Sequence, residues 1–556
     1  MKNKKILALI LILLISFGII LRVFSLNKDF EAEETDFVSA GIALKNTGHP
    51  VFYNSELYPK MNFLLHPPMY IYLLSIIFKF YTNEVSARLL NMIFSIFTAI
   101  FIFFFCLSVI KKQDGLWIGI ISSTFFLINY YVLSLSLLID IDIISSFFVF
   151  GFVFLIMRYI QTKKNLFSFL AILFLIFSIA NRFPIAILTY FFIGLYLLTS
   201  KNLKRHFKSY FYIGFFSFFI FISLWFIYST FIEPGTFFSF IMHNAKLGTE
   251  QLSNPAVYIG SFILNISQII RLFTFPVVIL MIWSFFYSLK NKSEWKKIIL
   301  LYIIPILTIF VLVPRPAFGY PRYFMTIFPG VSILIGAMLY EKLNKINFNN
   351  KKKIIFLISL LASFLILIYL NPQATIYSGN GLIKATNLID FLFNLFGSIP
   401  IFIPLLYKKD REKIILIVLI ALILSYSIFF DIKFFLNNPS AKEVGEYLKE
   451  KTIKEEIILA PKAVAYYADR RFHINANNKP RIESSYQYLI KYITKSYENP
   501  KMDDEFFWPG GVFGGLYPPI PSQEELDKAS YAVLYHPIEG RGYEKKIGEF
   551  YIYNLR

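Results

Sequence analysis

MKNKKILALILILLISFGIILRVF, residues 1–24, opens the chain with three lysines and then a run, Ile6–Phe24, interrupted by a single charge at Arg22. The basic head and apolar centre have the outline of a secretory signal. The apolar run is long for one, however, and no small-x-small cleavage site follows it. A bilayer needs about 20 mainly apolar residues to be crossed by a helix, so Ile6–Phe24 is expected to be an uncleaved first span. The same criterion selects segments 88–110, 114–138, 143–160, 165–180, 183–199, 209–231, 269–289, 297–313, 322–340, 353–370, 388–407 and 413–430. With the first, that makes about 13 transmembrane helices. Residues 165–199 also read as one long helix, but Asn181, Arg182 and Pro184 interrupt the run and favour a tight hairpin. Segment 69–80 is apolar but too short to span, and is expected to lie at the interface or dip in from one side.

Composition agrees with this reading. Of 556 residues, 56% are hydrophobic and only 16% charged, against about 25% charged in soluble domains. A soluble enzyme, a disordered chain and a coiled coil are thereby excluded. The single cysteine, Cys106, lies in an apolar run and rules out an intramolecular disulfide or a cysteine-based zinc site. The net charge of +20 invites a nucleic-acid reading, but its distribution argues otherwise. With the N-terminus inside, the inner loops are MKNKK, KKQDG, RYIQTKK, SKNLKRHFK, KNKSEWKK, EKLNKINFNNKKK and YKKDREK. They carry 25 Lys/Arg against 5 Asp/Glu, an excess of 20 that accounts for the whole net charge. This is the positive-inside signal, and it implies no nucleic-acid partner. The cytoplasmic membrane of a prokaryote is the expected location, with the N-terminus cytoplasmic. Thirteen spans put the tail outside.

The tail, residues 437–556, holds 17 Lys/Arg and 17 Asp/Glu. A helix is expected at 440–451, strands at 456–460, 530–535 and 547–553, and a second helix at 462–468. These add up to a small extracytoplasmic α/β domain following an all-α polytopic membrane bundle of residues 1–436. Its Gly/Pro loop at 507–521 carries Phe507, Trp508 and Tyr517, which would stack on sugars or pack on the domain's own core.

Ionisable groups at membrane depth are costly and mark a site by default. In this topology they gather on the outer side. The first outer loop contains FEAEETDF, with Glu31, Glu33, Glu34 and Asp36, followed by a helix at 35–46 and by HPPMYIYLL, which begins at His66. Arg88 opens the second span, Asp140 and Asp142 end the third, Arg182 sits at the hairpin, and Arg315, Arg322 and Tyr323 flank the tenth. The competing reading is that these arginines snorkel to the interface and pair with the aspartates. Loop 232–268, with His243 and Lys246, reads as an outer amphipathic helix that would cover the site or pack on the bundle. No metal-ligand spacing, Walker-type loop or G-x-G-x-x-G after a strand occurs. A divalent metal is therefore not indicated, nor is nucleotide use on the inner face.

Four strings resemble one family. EETDFVSAGIALKNTGHPVF is similar to the acidic first loop of the integral-membrane GT-C glycosyltransferases, in the protein O-mannosyltransferase and aminoarabinose transferase branch. HPPMYIYLLSIIFKFYTNEVSARLLNMIFSI, SLSLLIDIDIISSFF and YPRYFMTIFPGVSIL resemble later segments of that branch, in the same order. The resemblance implies a GT-C bundle using a sugar carried on a polyprenyl phosphate, which is a substrate rather than a cofactor. It implies inverting transfer at the outer face to a protein, lipid or glycan acceptor, and membrane lipids as surroundings. The general base would be a first-loop carboxylate. Glu33 falls at the family's aspartate and Glu34 at its glutamate, so Glu33 is the first choice and Glu34 the second. A glutamate in place of the aspartate is chemically workable but one methylene longer. His66 replaces the family's phosphate-contacting lysine and is only partly charged at neutral pH. Part of that role would pass to Arg182, Arg315 or Arg322, beside Tyr323. Asp140 falls at the family's second acidic position. Its role would be catalytic or a structural pairing to Arg88, and a structural or donor-orienting role, shared with Asp142 and Arg88, is the expectation. Two other classes remain open: a lipid-linked-sugar flippase or transporter, for which repeats and mid-membrane charges would be expected, and a glycan polymerase or ligase.

Overall fold

The computed structural model describes residues 4–30, 34–50, 69–110, 112–201, 203–231, 266, 269–270, 273–290, 293–312, 321–343, 350–370, 395–406, 411–436, 440–453, 456–460, 462–469, 471–472, 529–534, 542–548 and 550–556. The helices of the bundle are α1 (Lys4–Val23), α2 (Glu34–Thr47), α3 (Met69–Phe78), α4 (Glu84–Val109), α5 (Lys112–Ile128), α6 (Tyr130–Ser136), α7 (Asp142–Thr162), α8 (Asn165–Thr199), α9 (Phe207–Phe231), α10 (Phe275–Leu289), α11 (Glu294–Leu312), α12 (Phe328–Leu343), α13 (Asn350–Leu370) and α14 (Arg411–Leu436). Helix overlies twelve of the thirteen apolar segments, and the other, 388–407, is described only over 395–406. Among the described residues, eight helices are long and apolar enough to cross a membrane unaided, and nine if one bent pair counts as a single span.

That bent pair is α5 and α6, which meet at 62°. The break is at Asn129, whose extended backbone leaves its side chain to accept a hydrogen bond from Tyr131 N at 3.0 Å. Residues 165–199 turn back on themselves at Arg182, where φ −145° and ψ 79° interrupt the helix. Contacts with α7 show the reversal. Phe177 meets Phe148, Arg182 meets Asp142, and Tyr190 returns to Phe152. Pro184 has no N–H to offer the preceding turn and so suits the second arm's first turn.

The two ends of the bundle differ in chemistry. One holds Lys296 on Glu341, Lys342 on Glu412, and Tyr340 donating to Asp114. The other holds Glu34, Arg88, Asp140, Asp142, Arg182 and Arg322, all buried. There α2 and α3 pack on one another around Phe37, Leu74 and Phe78.

After α14 the described residues build α15 (Ala441–Lys451), α16 (Lys462–Ala468) and a five-stranded sheet, β1 (Ile457–Leu459), β2 (Arg471–Phe472), β3 (Tyr531–Leu534), β4 (Lys545–Ile547) and β5 (Phe550–Asn554). The order is β2-β1-β3-β5-β4. β1 is parallel to both neighbours, and β5 is antiparallel to both of its own. Val444, Leu448, Val464 and Ala468 from the helices meet Ile458, Val533 and Ile552 from the sheet. The helices cross closely because position 445 is glycine: a Cβ there would lie 2.4 Å from the Cβ of Tyr467. Gly445→Ala is expected to push α15 off α16 and lower the melting temperature by several degrees, at the roughly 1–3 kcal/mol typical of overpacking. Thermal unfolding of the purified protein checks this.

Candidate active site

The site grows from a buried stretch of chain that is not helical. Between α6 and α7 the backbone runs through residues 137–141 without regular structure. Buried backbone outside a helix or sheet needs partners for its polar groups. Here side chains do so. Arg88 Nε donates to Leu137 O at 2.8 Å, and Asn91 Nδ2 donates to Leu138 O and, at 2.8 Å, to Asp140 O. Ile139 N donates to Glu34 Oε1 at 2.8 Å, and Ile141 N donates to the Asp140 carboxylate at 2.5 Å. Tyr70 OH donates to Asn91 Oδ1 at 3.2 Å, tying α3 to the same turn.

Arg88 sits in the first turns of α4, behind a capping box of Asn83 and Ser86. A cation there opposes the helix dipole, and the offset is a full set of acceptors. Besides Leu137 O, the guanidinium donates to Leu26 O (3.3 Å), Lys28 O, Asp29 O (2.9 Å) and Glu34 Oε2 (2.6 Å). Five bonds match the five donors of a guanidinium. Arg88 is thus bonded to the first loop, to the start of α2 and to the turn after α6 together.

A second group lies alongside. Asp140 Oδ2 accepts from Arg322 Nη1, Asp142 Oδ1 accepts from Arg182 Nη1, and Arg322 Nε lies 3.4 Å from Asp142 Oδ2. The two aspartates and two arginines form one chain of charge. The Arg182 guanidinium also lies 3.7 Å over the Tyr323 ring, a cation–π contact. Arg322 and Tyr323 are delivered by a 3-10 turn, Pro321–Ile327, whose Met325 O accepts from Ser146 of α7 at 3.1 Å.

Two expectations are corrected by this geometry. Asp140 pairs with Arg322, and Arg88 pairs with Glu34 rather than with Asp140. Of the competing reading, arginine–aspartate pairing is present at Arg182 and Arg322, whereas snorkelling is not: Arg88, Arg182 and Arg322 are 3–4% exposed. Glu33, His66, Arg315, loop 232–265 and the aromatic loop 507–521 lie outside the described residues. Asn91 and Tyr70 were missed by the sequence reading. The available signal was an asparagine three residues after Arg88, hence on the same face of an otherwise apolar helix.

Residues 65–228 match the family model described as dolichyl-phosphate-mannose-protein mannosyltransferase. That segment contains Arg88, Asn91, Asp140, Asp142 and Arg182. None of the curated proteins matches the chain by sequence. Among solved structures, the chain is similar to ArnT from Cupriavidus metallidurans bound to undecaprenyl phosphate: TM-score 0.61, 10% identity, covering 86% of this chain and 87% of that one. It is also similar to the archaeal oligosaccharyltransferase AglB from Archaeoglobus fulgidus, in complex with an inhibitory peptide and a dolichol-phosphate. There the TM-score is 0.50 at 11% identity, over 95% of this chain and 69% of that one. The chain thus shares the fold of these membrane glycosyltransferases, and its segment 65–228 matches a glycosyltransferase family model.

Proposed function

We propose that the protein transfers a sugar from a polyprenyl-phosphate carrier to an acceptor at the outer face of the membrane, with inversion and with Glu33 as general base. The observation that carries the reading is the chain Asp140–Arg322–Asp142–Arg182. It fixes two buried guanidinium groups in place before any ligand arrives. Departure of a phosphate oxyanion is the step that most needs stabilisation, and preorganised donors provide it at least cost. Guanidinium suits phosphate through its forked donors. The three arginines and three carboxylates of the described cluster balance in charge. Recruiting the anionic donor therefore falls to additional cations, and His66 and Arg315 are assigned that part. Tyr323 supports Arg182 through its ring face.

The choice between the two glutamates follows from Glu34's bonds. Its two carboxylate oxygens are engaged by Arg88 and by Ile139 N, so taking a proton would break a buried ion pair. Glu33 is the neighbouring carboxylate in the sequence. The acceptor is left as protein, lipid or glycan. The test supplies purified full-length protein with a panel of labelled polyprenyl-phosphate hexoses and pentoses and an envelope extract as acceptor source. Transfer of label supports the reading. Movement of lipid-linked sugar across a bilayer without bond cleavage overturns it in favour of a flippase. Arg322→Ala is expected to lower kcat by roughly 100-fold or more, the scale of losing one oxyanion donor.

The same reading places thirteen spans in the membrane, with residues 1–436 as the transferase bundle and 437–556 as an outer domain. Cys106 is buried and leaves a quiet background for labelling. Lys449→Cys, at an exposed position of α15, is expected to react with an impermeant maleimide on intact cells. Lys201→Cys, exposed at the other end of the bundle, is expected to react only after lysis. The reverse pattern would invert the topology.

A further inference from the structure

The first loop is fastened from a direction the transferase bundle does not provide. Tyr467 of α16 accepts a hydrogen bond from Phe30 N at 2.8 Å and donates to Glu84 Oε1 at 3.1 Å. The same carboxylate oxygen receives Lys442 Nζ at 3.0 Å. The Lys442 backbone N–H, in the first turn of α15, donates to Asp29 Oδ2 at 2.8 Å, so a first-loop carboxylate serves the helix N-terminus. The Phe30 ring stacks on Tyr467 (centroids 5.9 Å apart, 9° between planes) and meets Tyr466 edge-on at 5.6 Å. The Arg88 guanidinium lies 5.5 Å from the centre of the Phe30 ring. Phe30 is 3% exposed. Burial pushes the Tyr467 hydroxyl well above its ordinary range. It therefore stays protonated and can accept from Phe30 while donating to Glu84 throughout the working pH range.

These contacts hold the chain immediately before residues 31–33, while Arg88 and Ile139 N hold Glu34 immediately after them. We infer that Tyr467, with Glu84 and Lys442, is a positioning device by which the C-terminal segment fixes Asp29 and Phe30, the residues from which the chain leads to the first-loop base. The inference rests on the assignment of Glu33 proposed above. Neither Tyr467 nor Lys442 lies within the matched segment 65–228, and neither acts on substrate. Their effect is transmitted through the backbone at Asp29 and Phe30. A misplacement on the order of 1 Å is enough to cost about 100-fold in rate.

The test is Tyr467→Phe in the full-length purified protein, which removes the hydroxyl and keeps the ring that stacks on Phe30. Two readouts are taken: transfer with the polyprenyl-phosphate sugar panel, and hydrogen exchange without ligand. Expected are a fall in kcat of roughly 10-fold or more with KM for the donor within about twofold, and lost protection in peptides covering 26–34. Peptides covering 457–472 should stay as protected as in the parent. Unchanged kcat with unchanged exchange at 26–34 overturns the inference. So does lost protection confined to 457–472, which marks Tyr467 as a structural residue of its own segment only. Glu33→Gln separates the two assignments. It should lose turnover with exchange at 26–34 unchanged. If it turns over normally while Tyr467→Phe still exposes 26–34, the base assignment fails and the tether remains.

Discussion

Glu33→Gln is expected to lower kcat by about 100- to 10,000-fold, the range that general-base catalysis contributes, while leaving donor binding and protein yield unchanged. The argument starts from what the acceptor needs. A hydroxyl or amide attacking an anomeric carbon must lose its proton as the new bond forms. A glutamine keeps the shape of the side chain but cannot take that proton. The measurement is single-turnover transfer at saturating donor, compared with donor affinity measured separately. Glu34→Gln is the informative companion. Its carboxylate already accepts from Arg88 and from Ile139 N, so an amide there leaves one oxygen for one of the two and weakens a buried ion pair. Loss of folded protein, rather than of kcat in the folded fraction, is the expected outcome. A Glu34→Gln protein that melts normally but does not turn over, beside an active Glu33→Gln, moves the base to Glu34. Normal turnover in both removes the first loop from the chemistry altogether.

Hydropathy made the bundle legible because each span has to bury its own backbone hydrogen bonds, so the length and apolarity of every helix are written locally. The hairpin at Arg182 was legible for a related reason: a charge, an asparagine and a proline within four residues leave little helix to propagate. The bend at Asn129 was not foreseen within segment 114–138. One asparagine can cap a new helix without any glycine or proline to announce it. The residue types of the site were legible as well, since a charge at membrane depth is conspicuous. Their pairing was not. Arg88, Arg182 and Arg322 are equivalent as letters, and which aspartate or glutamate each one meets depends on how residues 137–141 unwind. The links from the C-terminal segment to the first loop were out of reach for another reason. Asp29 and Lys442 are 413 residues apart, and Phe30 and Tyr467 are 437 apart, and no periodicity connects them.

The largest stability loss is expected from Arg88→Ala, at about 3–5 kcal/mol, the cost of breaking a buried ion pair by removing one partner. Much of that cost lies in what is left behind. Without the guanidinium, the Glu34 carboxylate, 1% exposed, loses its Arg88 counter-charge. The carbonyls of Leu26, Lys28, Asp29 and Leu137 lose their donor together. Lysine is a poor replacement: it brings a charge but only three donors on a flexible stem, and cannot reach five acceptors set around a plane. Arg88→Lys is therefore expected to fall between parent and alanine. The decisive comparison is Glu34→Leu with Arg88→Met, because removing both charges removes the unpaired-ion penalty. That double variant should melt above either single variant yet below the parent, since the four carbonyls still lack a donor. The interaction term of the double-mutant cycle then separates the ion pair from the backbone staple. A large coupling with near-parental melting of the double variant would mean that the pair alone holds the site. A small coupling, with the loss in the double variant equal to the sum of the two single losses and most of it already present in Arg88→Met, would mean that Arg88 acts through the loop carbonyls. Parental melting of Arg88→Ala would refute both.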